Sequence, residues 1–147
     1  MRVTILIITL FSTLGVSCDD DKKSPLIVIK TGMECGWCGG ADTLMITKHT
    51  SLYDFKNPCD ATKNRGIQEG TSRTEWSDLL GSLNWNEFAN VNVNTCALCA
   101  DGCDTWIFIQ NGDRTHQIRF TKTSPEIEPI REFVEKLEAI HERFRAN

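Results

Sequence analysis

The chain has 147 residues, with 16 Lys+Arg, 20 Asp+Glu and 7 Cys, 40% hydrophobic and 24% charged. That composition excludes a disordered, collagen-like or coiled-coil chain and favours one compact domain. The net charge of -4 excludes sequence-independent nucleic-acid binding, which needs a basic surface.

Arg2 is the only charge before Asp19, and Val3 to Val16 is almost wholly apolar. A charged start, a short apolar stretch and small residues at its end make a secretory signal peptide. As a helix the stretch would span about 21–24 Å at 1.5 Å per residue, short of the ~30 Å hydrocarbon core of a bilayer. Cys18 follows directly, and Asp19-Asp20-Asp21-Lys22-Lys23 come next. This segment resembles a bacterial lipoprotein signal, in which the cysteine becomes the first mature residue and carries the lipid. The acidic run looks like the tether of outer-membrane lipoproteins from Bacteroidetes-like bacteria, where such runs can act as a surface-export signal. The resemblance implies a signal peptide over 1–17 and a lipidated Cys18 opening a charged tether over 18–25, and residues 26–147 read as a single domain. The resemblance also implies a membrane partner reached through the N-terminal lipid, at the outer membrane or cell surface. Gly15 stands where that family prefers Leu. Gly15 and Ser17 also suit ordinary signal-peptidase cleavage, which would release a soluble periplasmic or secreted protein.

In the mature domain, Leu26–Thr31 is short and β-branched and reads as a strand. Thr43–Thr47 alternates, with Leu44 and Ile46 on one face, and Ser51–Lys56 forms a third strand after a turn at His49-Thr50. Residues 57–71 are rich in Asn, Gly, Pro and Lys and read as a loop. Ser72 with Glu75 has capping-box spacing. Trp76, Leu79, Leu80 and Leu83 then form one helical stripe. Asn84 with Glu87 repeats the capping pattern, and Trp85–Ala89 reads as a separate helical turn. Thr105–Gln110 is apolar on both faces, which predicts a central strand covered on both sides. Asn111-Gly112 signals a hairpin, with Arg114–Phe120 as the returning strand. The last helix is expected from Pro129, with Ile130, Phe133, Val134, Leu137, Ile140 and Phe144 as its buried stripe. The order β-β-β-α-β-β-α predicts an α+β domain, an antiparallel sheet of about five strands with two amphipathic helices packed on it.

Six cysteines remain after Cys18, namely Cys35, Cys38, Cys59, Cys96, Cys99 and Cys103. In an exported protein such thiols tend to pair, so all six are disulfide candidates, and the sequence does not choose the pairing. A link between the Cys35/Cys38 region and the Cys96–Cys103 region would clamp the first strand to the fourth. Two alternatives use the same residues. Cys35-Gly36-Trp37-Cys38 has the spacing of a thiol–disulfide oxidoreductase dithiol. That chemistry needs a helix N-terminus to lower the thiol pKa, and none follows. Cys35/Cys38 with Cys96/Cys99 would make a four-thiolate zinc site, with a wider gap between the knuckles than usual.

Asp101 and Asp104 flank Gly102-Cys103 and read as turn caps, since the spacing of a calcium loop is absent. His49, His116 and His141 are expected at the solvated surface. Trp37 lies between two cysteines in a loop, as a recognition aromatic or as packing on a disulfide. The chain carries no P-loop, GxGxxG, GxSxG or HExxH pattern, so no catalytic residue and no cofactor is expected. The segments CGWCGG and NTCALCADGCDTW, with the closing amphipathic helix, are similar to uncharacterised domains of Bacteroidetes-like lipoproteins. That resemblance implies a habitat and no mechanism. Together these readings describe an exported, lipid-anchored binding or structural module stapled by disulfides.

Overall fold

The structure, a computed structural model, describes residues 26–147, so the expected signal peptide over 1–17, Cys18 and the expected tether over 18–25 lie outside the described residues. Its strands are β1 (Ile27–Cys35), β2 (Gly40–Ile46), β3 (Thr50–Lys56), β4 (Arg65–Gly70), β5 (Cys103–Asn111) and β6 (Arg114–Phe120). Its helices are α1 (Arg73–Ser82), α2 (Trp85–Asn90) and α3 (Arg131–Ala146). The strands form one antiparallel sheet in the order β4-β3-β2-β1-β5-β6. The fold is α+β, with the helices packed on the sheet.

Register explains which side chains meet them. Ile29 lies opposite both Ile46 and Ile109, and Ile107 opposite Ile118, so alternate residues of five strands share one apolar face. That face buries against Trp76 and Leu79 of α1, Phe88 of α2, and Phe133, Val134, Leu137 and Phe144 of α3. The expected caps are in place. Ser72 accepts from the Glu75 N–H, and Asn84 from those of Asn86 and Glu87.

Four expectations are corrected. Residues 57–71 are not all loop, because a single 3-10 turn at Ala61–Lys63 leads into β4, a sixth strand. Pairing with β3 holds β4 extended despite its two glycines, a case of tertiary context overriding weak local preference. The last helix starts at Arg131 and not at Pro129, after a 3-10 stretch over Pro125–Ile130, because Ile130 takes a non-helical cap conformation at φ -117° and ψ 13°. β5 is central but covered by helices on one side only. Trp106 and Phe108 lie on the open face and are half shielded by their own neighbours, the indole lying over Gly32 and the Lys30 ammonium 5.8 Å from the Phe108 ring. His141 is buried. His116 is half-buried, with Nε2 2.8 Å from the Val91 carbonyl oxygen and its ring edge-on to Phe88. Of the three histidines, only His49 is exposed.

The one-sided core makes a clear prediction. Phe133→Ala should destabilise the domain by about 3–5 kcal/mol in chemical denaturation. Leu52→Ala, on the open face, should cost under about 1 kcal/mol.

Candidate functional site

All three disulfides gather at one end of the sheet. Cys35 closes β1 directly opposite Cys103, the first residue of β5, with Cα atoms 4.1 Å apart. Cys38, in the β1–β2 turn, joins Cys59 in the loop after β3. Cys96 joins Cys99 across one 3-10 turn, Ala97–Ala100. The structure thus brings the Cys35/Cys38 region and the Cys96–Cys103 region together. Cys35 and Cys38 belong to different bridges, so neither is a partner in a redox dithiol. The four sulfurs of the zinc alternative are likewise committed to bridges, and no metal-holding group of three or more His, Cys, Asp or Glu occurs among the described residues.

Cys96-Ala97-Leu98-Cys99 is the CxxC that closes on itself. Its local electrostatics oppose a reactive thiol. Asp104 is fully buried and accepts from the Thr95 hydroxyl at 2.6 Å and from the Ala97 and Leu98 N–H groups at 3.0 Å each. Those N–H groups are the ones that would stabilise a thiolate at the start of the turn. Burial alone would raise the Asp104 carboxyl; these donors outweigh it and hold the group below the ordinary carboxylate range. Asp104 therefore caps the turn from β5, while Asp101 ends it in the left-handed region at φ 58°.

The β1–β2 turn packs on this loop. The Gly36 N–H donates to the Gly102 carbonyl at 2.9 Å, and a Cβ at Gly36 would come within 2.9 Å of the Asp101 Cα. Only glycine fits that approach. Trp37 follows at φ 54° and is 85% exposed. A bulky residue in this region is strained by about 1–3 kcal/mol, and exposure denies it the burial that would offset the cost. The disulfides at Cys35 and Cys38 hold the strained turn from both sides.

Two clefts flank this tip. One, of about 550 Å³, lies beside Gly39 between Tyr53 and Phe55 and is lined by Lys63, Arg65 and Arg145. The Arg65 guanidinium sits 5.6 Å from the Tyr53 ring centroid and donates to the Arg145 carbonyl. The other, of about 320 Å³, runs between Cys35, Ala41, Pro58 and Leu98 and is mostly apolar. Sequence reasoning missed Lys63 and Arg65, because residues 57–71 carry no periodic signal.

Beneath the cationic cleft lies a buried charge cluster. Asp42 Oδ2 is 2.9 Å from Arg145 Nε, and Oδ1 is 3.1 Å from His141 Nε2. The His141 Nε2 lies close to the carboxylate but off the line of a good hydrogen bond. The Met33 N–H donates to Oδ1 at 2.7 Å and the Tyr53 hydroxyl to Oδ2 at 3.3 Å. Burial would raise the Asp42 carboxyl, but His141, the Met33 N–H and Arg145 together hold it below its ordinary value. Burial above all, with the Asp42 charge nearby, raises the Tyr53 phenol against Arg65, so Tyr53 remains a donor at neutral pH. The cluster fastens the end of α3 to β2 and thereby fixes Arg145 at the cleft wall.

Two predictions follow from these ties. Loop entropy scales with the separations of 68, 21 and 3 residues. Removing each bridge by paired Cys→Ala changes should cost about 4 kcal/mol for Cys35–Cys103 and about 3 kcal/mol for Cys38–Cys59. The cost for Cys96–Cys99 should be under about 2 kcal/mol, all read by denaturant midpoint. Because the Asp42 carboxyl is depressed in the folded state, its stabilisation is complete above the ordinary value of 3.8 and is lost as pH falls through the lower folded value. Asp42→Asn should lower stability at pH 7 by about 3–5 kcal/mol and shrink the loss of stability expected as pH falls below 3.8. An unchanged acid limb would assign that loss to other groups. In comparisons with known proteins, no family model matches the chain and no curated protein is detectably similar to it.

Proposed function

We propose that the chain is an exported, lipid-anchored binding module of the bacterial envelope, with its disulfide-clamped tip as the binding end. The observation that carries this reading is the placement of Trp37. The largest apolar side chain type in proteins stands exposed and backbone-strained between two disulfides, an arrangement that costs stability in the free molecule. Rigid exposed aromatics are typical anchors of recognition surfaces.

The course of β1 supports a separation of anchor and binding end. The domain begins at Leu26, whose carbonyl accepts from the Gly112 N–H at the hairpin end of the sheet. The strand that follows runs from Ile27 to Cys35, eight steps or about 26 Å at 3.3 Å per residue. The tip therefore lies at the opposite end of β1 from the point where Leu26 enters the domain. Three disulfides suit an oxidising compartment, and no helix among the described residues is long and apolar enough to cross a membrane. Acyl chains contribute about 0.8 kcal/mol per buried CH₂, so the lipid supplies the anchoring and the domain needs no membrane-binding face.

Two measurements test the proposal. Intact mass of the protein from its native host, with thiols alkylated before and after reduction, should give an acylated chain beginning at Cys18 with no alkylation before reduction. An unacylated chain would remove the anchor from the proposal. Trp37→Gly should leave the melting temperature unchanged or raise it, by relief of about 1 kcal/mol of strain. A clear drop would make Trp37 a packing residue and end its role as anchor.

A further inference from the structure

The two edges of the sheet are built differently. Outside β6, Val93 and Thr95 exchange backbone hydrogen bonds with Arg119, so a passing segment covers part of that edge. β4, the other edge, pairs only with β3. The Thr71 N–H donates to the His49 carbonyl, which fixes the alternation along β4. Arg65, Ile67 and Glu69 turn their backbone groups to β3, and Gly66, Gln68 and Gly70 turn theirs outward. All three outward residues are exposed, and their outward N–H and C=O groups have no protein partner among the described residues.

The glycines are not required by the fold. A Cβ at Gly66 would meet nothing closer than 3.7 Å, and at Gly70 nothing closer than 4.0 Å, and neither residue has positive φ. Glycine inside a strand weakens it and marks close approach of another backbone. An open strand edge is itself a template for pairing.

We propose that β4 is a strand-pairing edge and that its occupant is β4 of a second copy of this chain. The outward sequence reads Gly66, Gln68, Gly70, the same in both directions about Gln68. A two-fold axis through Gln68 pairs Gln68 with its symmetry mate and Gly66 with Gly70 of the other copy. All three outward positions are then used, making about six backbone hydrogen bonds. On the helix-bearing face the same register places Arg65 of one copy diagonal to Glu69 of the other, within reach of a long side chain. Arg65 has no carboxylate partner within its own chain among the described residues, and Glu69 is paired there with Arg143 at 2.8 Å, so the contact would add a second cation to an existing ion pair. The product is a continuous sheet of two copies with every helix on one side. This inference does not depend on the lipid anchor or on Trp37.

The test uses the mature chain over residues 18–147 with Cys18→Ser, so that neither lipid nor signal segment intervenes, and with its disulfides formed. Sedimentation equilibrium should show a concentration-dependent dimer. Amide hydrogen exchange should show Gly66, Gln68 and Gly70 gaining protection as concentration rises, while Ile67 and Glu69 are protected throughout. Gln68→Pro removes an N–H that the monomer does not use and should weaken association at least about tenfold, with an unchanged circular dichroism spectrum. If proline disturbs the strand, Gln68→Lys serves instead, because it sets like charges directly opposite each other and should also weaken the dimer. A chain that stays monomeric at every concentration overturns the proposal. So does a dimer that leaves the three outward amides unprotected or ignores both substitutions.

Discussion

The pairing of β1 with β5 is the constraint on which the rest depends. Every other strand pair joins neighbours in sequence, β1 with β2, β2 with β3, β3 with β4, and β5 with β6. β1 and β5 alone bring distant parts of the chain together, in register from Ile27 opposite Asn111 to Cys35 opposite Cys103. Closing a 68-residue separation costs roughly 4 kcal/mol in chain entropy. The Cys35–Cys103 bridge sits at the last pair of that ladder and fixes its register. A slip of one residue would turn Ile107 and Ile109 to the open face and carry Trp106 and Phe108 into the core. The helices follow from the same constraint, since α1 and α2 lie in the connection between β4 and β5 and must pack on the face it crosses.

The parts of the fold legible in the sequence are those where local pattern and tertiary demand agree. Leu44 and Ile46 alternate because one face of β2 is buried. The stripe from Phe133 to Phe144 has helical period because α3 lies on the sheet. The parts not legible are those decided by partners. Arg65–Gly70 has one apolar residue, Ile67, and becomes a strand because β3 is beside it. β1 runs through Gly32-Met33-Glu34 without an apolar pattern because β2 and β5 hold it on both sides. His141 stands at the helical spacing of the buried stripe, after Leu137 and before Phe144, so its polarity and not its position makes it read as a surface residue, and the sequence does not show the Asp42 that it meets. The cysteines were legible as a set but not as pairs, since pairing is a property of the closed sheet.

The tip shows how the bridges and the buried carboxylates divide the work. Asp104 and Asp42 are both carboxylates removed from water and both held ionised by backbone and side-chain donors. Asp104 shapes the Cys96–Cys99 turn against which the β1–β2 turn packs. Asp42 ties α3 to the sheet beneath the cationic cleft. Charges buried in this way specify position more than they add stability, because desolvation consumes much of the attraction. The disulfides contribute stability by restricting the unfolded chain, which lets the tip tolerate a left-handed tryptophan.

The same reasoning explains why one face of the sheet remains without a second layer. An apolar strand residue needs shielding from water, and a packed helix is only one way to supply it. On the open face Trp106 lies across Gly32, where a Cβ would collide with the Asp42 carbonyl at 2.1 Å and with the indole at 2.7 Å, and Phe108 lies under the Lys30 ammonium. Glycine at position 32 lets the indole lie flat on the sheet and cover backbone that would otherwise be wet. Both aromatics reach partial burial from within the sheet itself. Alternation of apolar residues on both faces of β5 therefore reports a strand flanked by neighbours on both edges, and it does not require a layer of helices on both sides.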